Sequence, residues 1–264
     1  MHDVMTYRTR GLLLTVTGLL SLAACVGDPT TETESETEHE INADNGLLTI
    51  NGLNTQNGLN TQNGLNTQNG LNTQNGLADG VGLMTSASGR TTVSYLVRCA
   101  LPANHAITKL DQNGTSYTFM GSLGVAPAWE YGACDLACQQ WLSACMIAHI
   151  NTAGVHVPLW VVADPRAQPQ IGWGLNAQYS HQEGAYFGNI FVSPPLLFDC
   201  NGRDVYINPP PGRLGSLTSV PPYKNPAGFN GYCAPYCTAS DFPNYMSGFR
   251  SCFGYSAVMT VWRK

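Results

Sequence analysis

The chain reads as an α+β protein: an antiparallel, β-rich domain with long loops, stapled by disulfides around one main helix at about 134–151. Three observations carry that reading. Cys134-Asp-Leu-Ala-Cys138-Gln-Gln-Trp141-Leu-Ser-Ala-Cys145 brings its three thiols within about 40° of one another on a helix. The segments around it are short, rich in β-branched and aromatic residues, and punctuated by Gly and Pro. Finally, eight of the nine cysteines lie from Cys99 onward in a chain that opens with an export signal, which allows up to four bridges.

Taken in order, residues 1–24 form a signal peptide. Arg8 and Arg10 precede an apolar run that begins at Gly11, too short to span a membrane, and the run closes on Leu22-Ala-Ala-Cys25. That ending resembles the lipobox of bacterial lipoproteins. The resemblance implies cleavage before Cys25 and acylation of its thiol and new amino terminus, palmitate included. Several acyl chains make a lasting membrane anchor. Val26 follows, where Asp would imply inner-membrane retention, so the expected location is the outer membrane or cell surface, with the membrane as partner through Cys25. Residues 25–44 form an acidic tether of alternating hydroxyls and glutamates with no apolar group to bury.

Residues 45–86 carry a hexapeptide repeat. Asn-Gly-Leu-Asn-Thr-Gln recurs without error four times over 51–74, and leucines 47, 53, 59, 65, 71, 77 and 83 keep the six-residue spacing. A β-solenoid and a low-complexity spacer both fit a period of six. The spacer is favoured, because so few coils leave the leucines half exposed.

The cysteine-rich domain is placed at 90–264. Thr91-Thr-Val-Ser-Tyr-Leu-Val-Arg-Cys99 reads as a strand. Ile107-Thr-Lys-Leu110 and Thr115-Ser-Tyr-Thr-Phe119 flank Asp111-Gln-Asn-Gly114 as a hairpin. The cysteine helix comes next, with Asp135 as N-cap and a stop at Asn151-Thr-Ala-Gly154. Val155 through Val162, Ile171 through Leu175, Tyr186 through Val192 and Ser256 through Trp262 are further strand candidates, and turns dominate 193–243. This domain holds Tyr95-Leu-Val-Arg-Cys-Ala-Leu-Pro102, Cys138-Gln-Gln-Trp-Leu-Ser-Ala-Cys145, Gln182-Glu-Gly-Ala-Tyr-Phe-Gly-Asn-Ile-Phe191 and Val258-Met-Thr-Val-Trp-Arg263. In these it resembles an uncharacterised group of secreted, cysteine-rich proteins from gliding, predatory soil bacteria. The resemblance covers about 91–264 and implies no activity.

Charge narrows the partners. The net charge is −5, yet 90–264 has ten Lys/Arg against eight Asp/Glu with no basic stripe, so nucleic acid is not an expected partner. Cys99, Cys134, Cys138, Cys145, Cys200, Cys233, Cys237 and Cys252 are expected in disulfides. Cys134 and Cys138, as helical neighbours, are each expected to bond to a distant segment. A four-thiolate metal site from Cys134, Cys138, Cys233 and Cys237 is disfavoured by export and spacing, so no metal and no cofactor is expected.

The most site-like cluster is His181-Gln-Glu183. Strand alternation would point His181 and Glu183 to one side, as a pair for proton transfer. Trp173 and Tyr186 are candidates for a sugar-binding face. Without a nucleophile elbow, zinc-protease or phosphate-loop motif, the expectation is a lipid-anchored, non-catalytic recognition or structural module for glycan or protein ligands. The alternative is a secreted glycan or cell-wall hydrolase using Glu183. A weaker third is assembly through the repeats.

Overall fold

A computed structural model of the chain describes residues 65–151, 153, 156–171, 176–213, 231–234, 236–240 and 248–264, all within the unit His39–Lys264. The signal peptide, Cys25, the tether, the earlier repeats and Trp173 lie outside the described residues.

Two helices of similar length form the α layer. α1 spans Ala87–Ala100 and α2 spans Leu136–Ala148. The second is where the sequence put it: Asp135 caps it, its carboxylate accepting the Cys138 amide at 2.9 Å. The first corrects two expectations, the strand at Thr91–Cys99 and the single main helix. Its β-branched residues suggest a strand, but Ser86 caps the first turn by accepting the Gly89 amide. Val93, Leu96, Val97 and Ala100 then fall on one fully buried helical stripe. Tertiary burial at i, i+3, i+4 and i+7 outweighs the weak β-propensity.

β1 (Ala106–Leu110) and β2 (Ser116–Met120) form the expected hairpin. The main sheet has the antiparallel order β3-β8-β4-β5, from β3 (Leu159–Val162), β4 (His181–Asn189), β5 (Leu196–Asn201) and β8 (Met259–Arg263). One face, with Leu159, Val161, Tyr186, Leu197, Met259 and Val261, shares the main core with both helices. On the other face Trp160, Val162 and Trp262 pack with Tyr179, while Ala185, Phe187 and Cys200 join a second cluster. A third sheet, β6 (Cys237–Ala239) paired with β7 (Phe249–Cys252), contributes to that second cluster.

Four disulfides are present: Cys99–Cys145, Cys134–Cys138, Cys200–Cys233 and Cys237–Cys252. The first ties α1 to α2. The second corrects the expectation that Cys134 and Cys138 seek distant partners. Cys134 lies ahead of the cap at Asp135, outside the helix, so its Cα comes within 5.2 Å of that of Cys138.

The repeat also differs from expectation. Leu65, Leu71 and Leu77 are completely buried and Leu83 nearly so, all within the main core. The spacer at 45–86 and the domain start at 90 therefore need correction: from Leu65 onward the chain is part of the packed domain. The described coils are not a solenoid either, since Leu65 bridges Leu77 antiparallel, twelve residues on. Two glycines explain how the backbone approaches so closely. A Cβ on Gly70 would sit 2.3 Å from the Tyr131 carbonyl carbon, and one on Gly76 would sit 1.8 Å from the Gly70 oxygen.

Candidate functional site

β4 begins with the residues singled out in the sequence, and the structure buries them to different depths. Gln182 pairs with Trp262 while Gly184 pairs with Val261, so Glu183 is the extra residue of a β-bulge. His181 pairs with Arg263, which also contacts Glu183, so both side chains belong to the core-side face as alternation predicts. The bulge shifts the register only from Glu183 onward. His181 is half-buried at the strand's start, and Glu183 is fully buried.

Glu183 is the centre of an ion cluster. The Arg213 Nε donates to its Oε1 at 3.2 Å and Nη2 to its Oε2 at 2.5 Å, with both side chains at zero exposure. The Tyr186 hydroxyl also donates to Oε2, at 2.9 Å. The Arg263 Nε lies 3.4 Å from Oε1, an ionic contact without hydrogen-bond alignment. Arg213 also donates from Nη2 to the Tyr186 hydroxyl at 3.0 Å and from Nη1 to the carbonyls of Ala148 and Ile150. The terminal nitrogens of Arg263 donate to the carbonyls of Asp204, Val205, Ile207 and Asn208. The cluster therefore stitches the end of α2, β4, β8 and the 204–213 loop together. It leaves Glu183, expected as half of a proton-transfer pair, fully buried among two arginines and a tyrosine. It also corrects the view of Tyr186, 1% exposed, as a ligand-facing ring.

Asp199 stands opposite Tyr186 on β5. Burial, reinforced by the charge of Glu183, pushes its carboxyl up to about 7 from an ordinary 3.8. Between about pH 4 and pH 7 the unfolded chain has released this proton while the folded chain keeps it. Stability from this group is thus lost as pH rises through that window. Asp199→Asn is expected to flatten the dependence and raise the unfolding midpoint at pH 8 relative to pH 5. An unchanged pH profile in denaturant titrations would disprove the assignment.

Exposed aromatic residues lie elsewhere: Tyr131, 71% exposed, stands beside Gly70, and three more share the region of two disulfides. Tyr206, Tyr232 and Tyr236 are 47%, 44% and 53% exposed. The Tyr206 hydroxyl accepts from the amide of Asn201, the residue that bridges Tyr232. Tyr232 and Tyr236 each precede a bridged cysteine, and the Cys200 and Cys237 sulfurs of the two bridges are 3.6 Å apart. Tyr236 stacks on Phe253 with centroids at 4.8 Å, and Phe253 stacks on the buried Phe187 at 5.8 Å. Phe253 holds φ at 50°, which a bulky side chain rarely adopts. It shares a two-residue turn with Gly254, closed by reciprocal Cys252 and Tyr255 backbone bonds. Strain of this kind persists only where surrounding contacts enforce it.

Tyr206, Tyr232 and Tyr236, exposed around two adjacent disulfides, form a candidate tyrosine platform that sequence reasoning missed. Its signal was the string Tyr232-Cys-Ala-Pro-Tyr-Cys237, in which each disulfide anchor holds a ring beside it. Comparison of the chain with protein-family models, curated proteins and solved structures finds no match.

Proposed function

We propose that the chain is a lipid-anchored, cell-surface recognition module, non-catalytic, whose ligand face is the tyrosine platform. The observation that carries this is the set of half-exposed rings of Tyr206, Tyr232 and Tyr236 on a base clamped by two disulfides. Tyrosine combines a flat apolar face with a polar tip and loses little side-chain freedom on binding. That combination suits the faces and hydroxyls of a glycan, which we take as the ligand class. The lipobox ending at Cys25 supports the anchoring, and the consumption of Glu183 by Arg213 removes the carboxylate on which a hydrolase reading rested.

The test is retention of the oxidised, full mature chain on insoluble cell-wall polysaccharide. Tyr232→Ala and Tyr236→Ala are each expected to weaken retention about tenfold, about 1.4 kcal/mol. Unchanged retention in both would refute the platform. Binding confined to a protein component would redirect it to a protein ligand. Release of soluble fragments by the wild-type chain would make it an enzyme.

A further inference from the structure

The docked segment 65–74 belongs to two repeat units, 63–68 and 69–74, that are identical residue for residue to 51–56 and 57–62. Every contact that holds it is made by a position the unit repeats. The Leu71 and Asn72 amides donate to the carbonyls of Trp129 and Glu130, at 2.7 and 2.9 Å. The Cys134 amide donates to the Thr67 carbonyl, and the Trp129 indole to that of Asn69. The Lys109 ammonium donates to the Thr73 carbonyl at 3.0 Å. Glycine is needed where Gly70 meets Tyr131, and leucine fills the core at positions 65 and 71.

The next unit is different. Asn75-Gly-Leu-Ala-Asp-Gly80 has a carboxylate at Asp79 that accepts the Leu110 amide at 2.6 Å, and the Gly80 amide donates back to the Leu110 carbonyl. It has no duplicate, so it fixes where the segment leaves the groove.

From this we infer that the groove beside Trp129–Cys134 is a receptor for the repeat unit rather than for one copy, and that residues 51–62 of the same chain occupy it when 63–74 cannot. In the exchanged register 75–83 stays docked and 63–74 is extruded as a twelve-residue loop. The exchange gives up the turn in which the Gly76 amide donates to the Thr73 carbonyl and hydroxyl, because that turn runs through the 74–75 peptide. The contacts to Trp129, Glu130, Cys134 and Lys109 can be remade by the duplicate units, and the added loop entropy grows only slowly with length. The upstream copies are spares for the domain's own core, and the register shifts in whole units.

Two variants of the full chain test it. Leu65→Ser with Leu71→Ser disables the docked pair and leaves Leu53 and Leu59 as replacements. Its loss in denaturation midpoint is expected to be less than half of what the same pair causes in a Leu53→Ser, Leu59→Ser background. Equal losses in the two backgrounds overturn the proposal. Hydrogen exchange reads the register directly, even if the fourfold variant does not fold. In wild type the Leu71 and Asn72 amides are protected. In the Leu65→Ser, Leu71→Ser variant the protection is expected to move to Leu59 and Asn60, slowing them about 100-fold. Loss at 71–72 with no gain at 59–60 overturns it. So does a gain that grows with protein concentration, which would mean that the unit comes from a second copy.

Discussion

Replacing Arg213 with methionine is expected to destabilise the domain by about 3–5 kcal/mol, lowering the thermal midpoint by about 10 °C or more. The cost comes less from the lost attraction than from what remains. Glu183 would sit at zero exposure with its nearer cation gone, and the Ala148 and Ile150 carbonyls would lose their donor. Arg263 cannot substitute, because its Nε meets Glu183 at 3.4 Å out of line and its terminal nitrogens are committed to four carbonyls. The combined Arg213→Met, Glu183→Met variant is expected to recover part of the loss, since it removes the stranded charge along with its partner. A double variant as unstable as the sum of its singles would mean that the two residues act independently. The same reasoning governs how Glu183→Gln is read in any activity assay. A lost activity there reports catalysis only if the unfolding midpoint is preserved.

The parts of this molecule legible in its sequence are those that local chemistry decides. Asp135 before a cysteine-bearing helix, Asp111-Gln-Asn-Gly114 between alternating segments, and an even set of eight thiols from Cys99 onward are signals that need no knowledge of the fold. The misreadings fall where distant contacts decide. Thr91 through Cys99 has the residue types of a strand, and only the buried stripe of Val93, Leu96, Val97 and Ala100 makes it a helix. Leucines spaced by six predict nothing about their neighbours, so their burial against Trp129 and α1 had no local trace. The cations that engage Glu183, Arg213 and Arg263, stand far from it in the chain, so its burial in an ion cluster had no local signal. The tyrosine platform was half legible: the Tyr-Cys pairs stood in the sequence, but the ring ladder depends on Phe253, seventeen residues beyond Tyr236.

Removing the bridge between α1 and α2 with Cys99→Ala and Cys145→Ala is expected to cost about 4 kcal/mol, about twice the cost of removing Cys134 and Cys138 together. The ratio follows from chain entropy. The first bridge closes a loop 46 residues apart, the second one of 4, and the denatured chain regains freedom in proportion to the logarithm of that length. Burial adds to the difference. Cys99 and Cys145 are both fully buried, whereas in the second pair Cys134 is buried and Cys138 only half-buried, so truncation leaves the larger interior void in the first pair. Denaturant midpoints of the two paired variants, each with its remaining bridges intact, measure both effects. Equal losses would show that the helices are held by packing without help from their bridge. A loss confined to the first pair would show that the short bridge at the start of α2 only reinforces what the Asp135 cap already fixes.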